Sequence, residues 1–184
     1  GLGDVYKRQP INTYFSLDLD GISALNDSVG GVDVVSPETI GEFVEGESYH
    51  LVGQQAESFV RTRDTSKTDS NNMRMQRQKV YIQSFMNTVL QQTKKDLTTP
   101  IDLFNASAPY SCTNLNPSKV SYLAQQAVLG GMNGIDMVSV PGQVAMGSKY
   151  AEFNVSEAEF YQLFLSIYYT KIAVSYTHLT LPTT

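Results

Sequence analysis

QQAESFVRTRDTSKTDSNNMRMQRQ, residues 54–78, holds the plan of the chain: a short helical segment, a polar coil and the start of a long helix. Gly53 precedes the first segment, which spans residues 54–60. Residues 62–72 carry almost no apolar side chain, which predicts exposed loop. From Met73 a helix is predicted to run to about Thr93. It places Met75, Gln78, Ile82, Phe85, Val89 and Gln92 on one face. Lys94 and Lys95 follow at the end where the helix macrodipole is negative.

The same stretch concentrates positive charge. Residues 61–79 contain 6 of the 13 Lys and Arg side chains, and four of the five arginines. Only Asp64 and Asp69 oppose them, so the window is +4 in a chain of net charge −5, and the remainder is −9. A general nucleic-acid binder needs a basic surface with aromatic side chains for base stacking. No Phe, Tyr or Trp lies between Arg61 and Lys79, which counts against that class.

Working outward, 184 residues amount to about one domain, long enough to bury about two-thirds of the unfolded surface. A hydrophobic content of 41% against 17% charged argues against wholesale disorder. No apolar run is long enough to span a membrane. One cysteine, Cys112, excludes an internal disulfide framework and a multi-cysteine zinc site. Residues 1–9 and 174–184 read as non-native read-through tails and are set aside, leaving residues 10–173 as the natural segment. His178 falls in a tail, and His50 alone cannot make a histidine metal site.

Upstream, Ile11, Thr13, Phe15, Leu17 and Leu19 alternate as a strand with one buried face. Asp20 reads as an N-cap, although Asp18 and Asp20 could also pair on a metal. Ile22, Leu25 and Val29 form a helical stripe that Gly30-Gly31 stops, and Val32, Val34 and Val35 begin a second strand. The glycine pair lacks the spacing of a nucleotide-binding loop. Asp27 and Asp33 read as loop-facing.

Downstream, Pro100 opens a short helical segment, and Asn116-Pro117 caps a helix whose buried stripe is Val120, Leu123, Ala127 and Val128. Residues 135–140 are a third strand candidate, and Ser156 with Glu159 forms a capping box. Phe160, Phe164 and Tyr168 read as core or as the lining of a lipid cleft, and Cys112 as a small buried side chain. The mixture predicts an α/β or α+β fold, one domain with a central mixed sheet flanked by helices.

Arg61 and Arg63, two apart in an extended segment, would point the same way about 6.5–7 Å apart and suit neighbouring phosphates. Arg74 and Gln78 share a helix face, with Arg77 one step round. If the helix begins near Asn72, Arg74 lies in its first turn, where a cation is unfavourable unless a bound anion reverses the sign. The plainer reading is a solvated basic surface paired with Glu57, Asp64 or Asp69.

The ordered string resembles the signature of the LytR-CpsA-Psr family: Leu51, Gly53 and Ala56, then Arg61 and Arg63, an acid at Asp69, then Arg74, Met75, Arg77 and Gln78. The block INTYFSLDLDGISALNDSVGGVDV, residues 11–34, is similar to the family's helix, Gly-Gly-Val and strand. Thr113-Asn114-Leu115 and Pro141-Gly142 also sit where related proteins have similar elements.

The resemblance implies a phosphotransferase that moves a glycopolymer phosphate, of teichoic acid or capsule, from a polyprenyl-pyrophosphate lipid to peptidoglycan. It implies work on the extracytoplasmic face of a bacterial membrane, in a domain anchored by an N-terminal helix. It assigns the pyrophosphate to Arg61, Arg63, Arg74 and Gln78, with Arg77 a weaker match, and gives Asp69 the role of base or of arginine-holding acid. It also implies Mg²⁺, whose ligands belong to an upstream portion with a metal-binding Asp and an Arg-Asp motif. This chain starts after that portion, so it reads as an N-terminally truncated fragment with no metal ligands of its own. The alternative is a non-catalytic anion- or glycan-binding domain, or an inactive fragment that keeps only the arginine site.

Overall fold

The computed structural model describes residues 12–66, 70–147 and 151–169, which divide into two compact units between Met137 and Val138. The first unit runs β1 (Phe15–Leu17), α1 (Asp20–Ser28), β2 (Val32–Val35), β3 (Ser48–Leu51), α2 (Gln54–Arg61) and α3 (Ser70–Lys95). It continues with α4 (Thr99–Ser107), a 3₁₀ turn (Ala108–Tyr110), β4 (Ser111–Thr113) and α5 (Pro117–Leu129). The second unit is an antiparallel hairpin, β5 (Gly142–Met146) and β6 (Ala151–Val155), followed by α6 (Glu157–Tyr168).

Val32 and Val34 point inward from β2 while Asp33 and Val35 point out, the period-two alternation of a half-buried strand. β2 pairs antiparallel with β3, Val32 opposite Leu51 and Asp33 opposite His50. The core gathers Val29, Val32, Val34, Ile40, Phe43, Leu51, Ala56, Phe59, Val60, Tyr81 and Leu103. Phe43 meets Tyr49 and Phe59 edge to face, with ring centres 5.2 and 5.0 Å apart. Burying one such ring contributes about 1.5–3 kcal/mol, so the α2 side of the molecule is the best anchored.

The mixed α/β class is as expected, and its sheet takes the form of three antiparallel strand pairs among the described residues. The expected first strand is shorter: it begins at Phe15, and Ile11 lies outside the described residues. Residues 135–140 form no strand; the Ile135 amide donates instead to Asn87 Oδ1 at 3.2 Å. β3 alternates only weakly, with Leu51 its one buried residue, and the three residues of β4 are too few to display a period.

Several caps and faces also differ. Asp20 is the first residue of α1, with Leu19 at the cap position and no side-chain cap bond. Ser156 is the N-cap of α6 but makes no side-chain cap bond. Asn116 does cap α5, its Oδ1 accepting the Lys119 amide at 2.9 Å. The stripes expected to be buried on α5 and α6 are open: neither helix has a buried residue, and Leu123, Phe160, Phe164 and Tyr168 are exposed. Cys112 is exposed as well. α3 starts at Ser70 and buries Arg77, Tyr81, Leu90 and Thr93, whereas Met75 and Ile82 are exposed. The reason lies at its N-terminal end.

Candidate functional site

The site is built where α2 meets α3. Gly53 precedes α2 with φ +54, a conformation open to glycine and strained for other residues. Its amide donates to Asp27 Oδ1 at 2.7 Å, and Asn26 Nδ2 donates to the Leu51 carbonyl at 2.7 Å. Asp27 therefore ties the end of α1 to the start of α2. The Leu51, Gly53 and Ala56 spacing acquires a physical reason: two fully buried side chains flank the one residue that can make the turn.

The far end of α2 is closed by side chains from α3. The last carbonyls of a helix lack intrahelical partners and attract donors and cations. The Ser58 carbonyl accepts the Thr62 amide at 3.0 Å and its hydroxyl at 2.7 Å. The Val60 carbonyl accepts Gln78 Nε2 at 3.3 Å. Arg77 does the rest. It is fully buried; its Nη1 donates to the Phe59 carbonyl, its Nη2 to the Thr62 carbonyl, and its Nε to Glu38 Oε1 at 2.7 Å. Arg77 thus faces the interior, not the surface on which a pyrophosphate would sit.

The other predicted residues lie at the end of α2, in the coil after it and on the first turns of α3. Arg61 is the last residue of α2, is exposed, and donates through Nη1 to Glu57 Oε1 at 2.7 Å. Arg63, also exposed, lies in the coil beyond and donates through Nε to Ser70 Oγ at 3.0 Å. Arg74 Nη2 donates to Asn71 Oδ1 at 2.9 Å, and its Nε is buried without a partner among the described residues. Ser70, Arg74 and Gln78 are four apart and share one face of α3.

Two expected details change. Arg61 is helical, so the spacing of an extended pair does not apply; Thr62, at φ −54 and ψ 137, makes the bend between the two arginines. Arg74 lies one turn inside α3 rather than in its first turn, because the helix begins at Ser70. Asp69 falls outside the described residues.

Gln78 and Val60 also line an apolar cavity of about 320 Å³, together with Leu17, Leu19, Ile22, Leu25, Tyr81, Ile82 and Phe85. Gln78 is its one amide. Burial, and then the charge of Asp27, push the Tyr81 phenol up, so it stays a neutral donor to Asn26 Oδ1 at 3.2 Å. An anionic headgroup at the corner and an apolar chain in the cavity would therefore meet at Gln78. Among the described residues no group of three or more His, Cys, Asp or Glu side chains is placed to hold a metal ion.

Glu38, Ser70 and Asn71 take part in the corner without having been singled out in the sequence. Glu38 lies in the acidic segment 36–48, whose sequence suits a loop or a short hairpin, and only its partner 39 residues away gives it meaning.

Comparison with known proteins bears on this geometry. The model of the LytR_cpsA_psr family matches residues 6–165. The structure is similar to that of TagV from B. subtilis, with a TM-score of 0.63 and 20% identity over 91% of this chain and 68% of that one. It is also similar to a LytR-Csp2A-Psr enzyme from Actinomyces oris, with a TM-score of 0.61 and 17% identity over 88% and 65%. TagT bound to LI-WTA gives a TM-score of 0.61 and 13% identity over 89% and 62%. No curated protein matches the sequence at a significant level.

Proposed function

The chain belongs to the LytR-CpsA-Psr family, and we propose that it serves in attaching cell-wall glycopolymers and contributes the pyrophosphate-binding corner of a phosphotransferase. The substrate is a glycopolymer carried on a polyprenyl pyrophosphate, and the acceptor is peptidoglycan. The observation that carries this reading is that Arg63 is tied to Ser70, with Arg74 and Gln78 one and two turns further along the same face of α3, while Gln78 also joins the end of α2 and lines an apolar cavity. TagT, to which this chain is similar in fold, has been solved bound to LI-WTA, and we take a related ligand for this chain.

In the reaction, a sugar hydroxyl of peptidoglycan attacks the phosphorus on the glycopolymer side. Its oxygen forms the new P–O bond, the bond to the bridging oxygen breaks, and polyprenyl phosphate leaves with that oxygen. The hydroxyl proton passes to a base or to the leaving phosphate. Such transfers are driven mainly by positioning and by neutralising charge on phosphoryl oxygens. Arg61 and Arg63 hold the diphosphate from the end of α2, Arg74 steadies the leaving phosphate, and Gln78 orients an oxygen at the mouth of the lipid cavity. Asp69 holds an arginine or takes the proton. Magnesium would supply further charge neutralisation on the phosphoryl oxygens.

No described helix is long and apolar enough to cross a membrane. We place the reaction at the extracytoplasmic face of the membrane, where lipid carrier and peptidoglycan meet. Titration with a short polyprenyl pyrophosphate and with inorganic pyrophosphate tests the reading. The prenylated ligand is expected to bind more tightly, and Arg63→Ala to weaken both by at least about tenfold, or about 1.4 kcal/mol. Unchanged binding by a well-folded Arg63→Ala chain overturns it.

A further inference from the structure

We propose that Glu38 and Arg77 are positioning residues: together they form a buried clamp that sets the path of the coil carrying Arg63, and so tune the anion grip without touching the anion. The inference rests on the pyrophosphate reading above. It assigns Arg77 a part different from that of the other arginines, and gives Glu38 a part for the first time.

The geometry is specific. Glu38 is 5% exposed and Arg77 0%, so the two charges neutralise each other away from water. Glu38 is itself held, since Ser36 Oγ donates to its carbonyl at 2.7 Å and Ile40 and Phe43 anchor the same loop in the core. From that fixed acid the planar guanidinium reaches two carbonyls, one in the last turn of α2 and one at Thr62, immediately before Arg63. Arg63 then leans on Ser70, the first residue of α3 and one turn before Arg74. The clamp defines where the coil leaves α2, and Ser70 defines where the Arg63 side chain lies. A lysine at 77 keeps the charge but not the planar fork that spans three acceptors in fixed directions.

A double-mutant cycle on the 184-residue chain tests this, with inorganic pyrophosphate as the probe and Arg77→Lys and Arg63→Ala as the variants. Expected is a loss of about tenfold for Arg77→Lys, the scale set by misplacement of a binding group. Adding it to Arg63→Ala should cost nothing further, because Arg77 acts through Arg63. Losses that multiply would make Arg77 an independent ligand and overturn the clamp, as would unchanged affinity in Arg77→Lys. Glu38→Gln, which keeps an oxygen acceptor for Nε, provides a second variant should Arg77→Lys fail to fold, and it should show the same non-additivity.

A second readout needs no ligand. Hydrogen exchange at the Arg63 Nε–H should be slowed in the parent chain and accelerated in Arg77→Lys; equal exchange in both overturns the clamp. If the parent chain binds no pyrophosphate, the functional reading falls while this exchange experiment still decides whether Arg77 places Arg63.

Discussion

Helices α2 and α5 announce themselves alike in the sequence, each as a short apolar stripe after a capping or turn residue, yet they end up in opposite surroundings. α2 buries Ala56, Phe59 and Val60, while α5 buries nothing and leaves Tyr122 61% and Leu123 55% exposed. The difference lies in their partners. α2 packs against α1 and α3, and its two ends are held by Asp27, Gln78 and Arg77. α5 packs against α4 and, to a lesser extent, α3, and its one side-chain cap is its own Asn116. Periodicity defines a face; neighbours decide whether that face is buried. The proposed site lies on the helix whose ends are tied down, which suits the proposed role of holding a diphosphate between two elements.

The sharpest way to break this contrast is to hollow out the α2 side. Phe59→Ala removes a fully buried ring that stacks edge-on against Phe43, and a loss of about 3–5 kcal/mol in chemical denaturation is expected. A loss no larger than that of a surface substitution would mean that α2 is no better anchored than α5. The next effect concerns its N-terminal tie. Gly53→Ala forces a side chain into a positive-φ turn, at a cost of about 1–3 kcal/mol. Equal stability of variant and parent would show that the turn relaxes freely.

These two positions also show what could be read in advance. Leu51, Gly53, Ala56, Arg61, Arg63, Arg74 and Gln78 all lie within residues 51–78, and the resemblance of that ordered string to a family signature points to the corner. The long helix and the glycine stop at residues 30–31 were equally legible, because helical periodicity and positive-φ glycines leave local marks. Arg77 did not declare itself. An arginine among arginines carries no local sign of burial, and its acid, Glu38, is 39 residues away in a segment without periodicity. The face of α3 was legible only in part: Phe85 and Val89 pack against the core as their spacing allows, but the fully buried side chain near its N-terminal end is a cation. The stripes of α5 and α6 were read as core because a pattern cannot report whether a partner exists.

On the α5 side the expected effects are small. Leu123→Ser should change stability by no more than about 0.5 kcal/mol, since an exposed side chain leaves no cavity behind. A drop of several times that size, measured in the same denaturation experiment as Phe59→Ala, would show Leu123 to be covered in solution and would erase the contrast.

The smallest effect returns to the anchored region, on its solvent side. His50 Nδ1 lies 2.7 Å from Asp33 Oδ1 and its Nε2 3.1 Å from the Gly30 carbonyl, two acceptors that only the doubly protonated ring can satisfy together. The hydrogen bond to Asp33 raises the His50 pKa above its ordinary value. A raised folded-state value means that the stabilisation is fully present below the unfolded pKa of about 6.5 and is lost as pH rises through the folded one. Solvent screens the pair, so the contribution is modest. Comparing Tm for the parent and His50→Gln should therefore show a gap at about pH 5.5 that closes by about pH 9. Gly31, at φ +94, leaves no room for a side chain beside that ring, so the histidine braces the turn that leads from α1 into β2. A gap that widens with pH would mean that the ring sits there neutral, and that the turn is held by the glycines and by Asn26 alone.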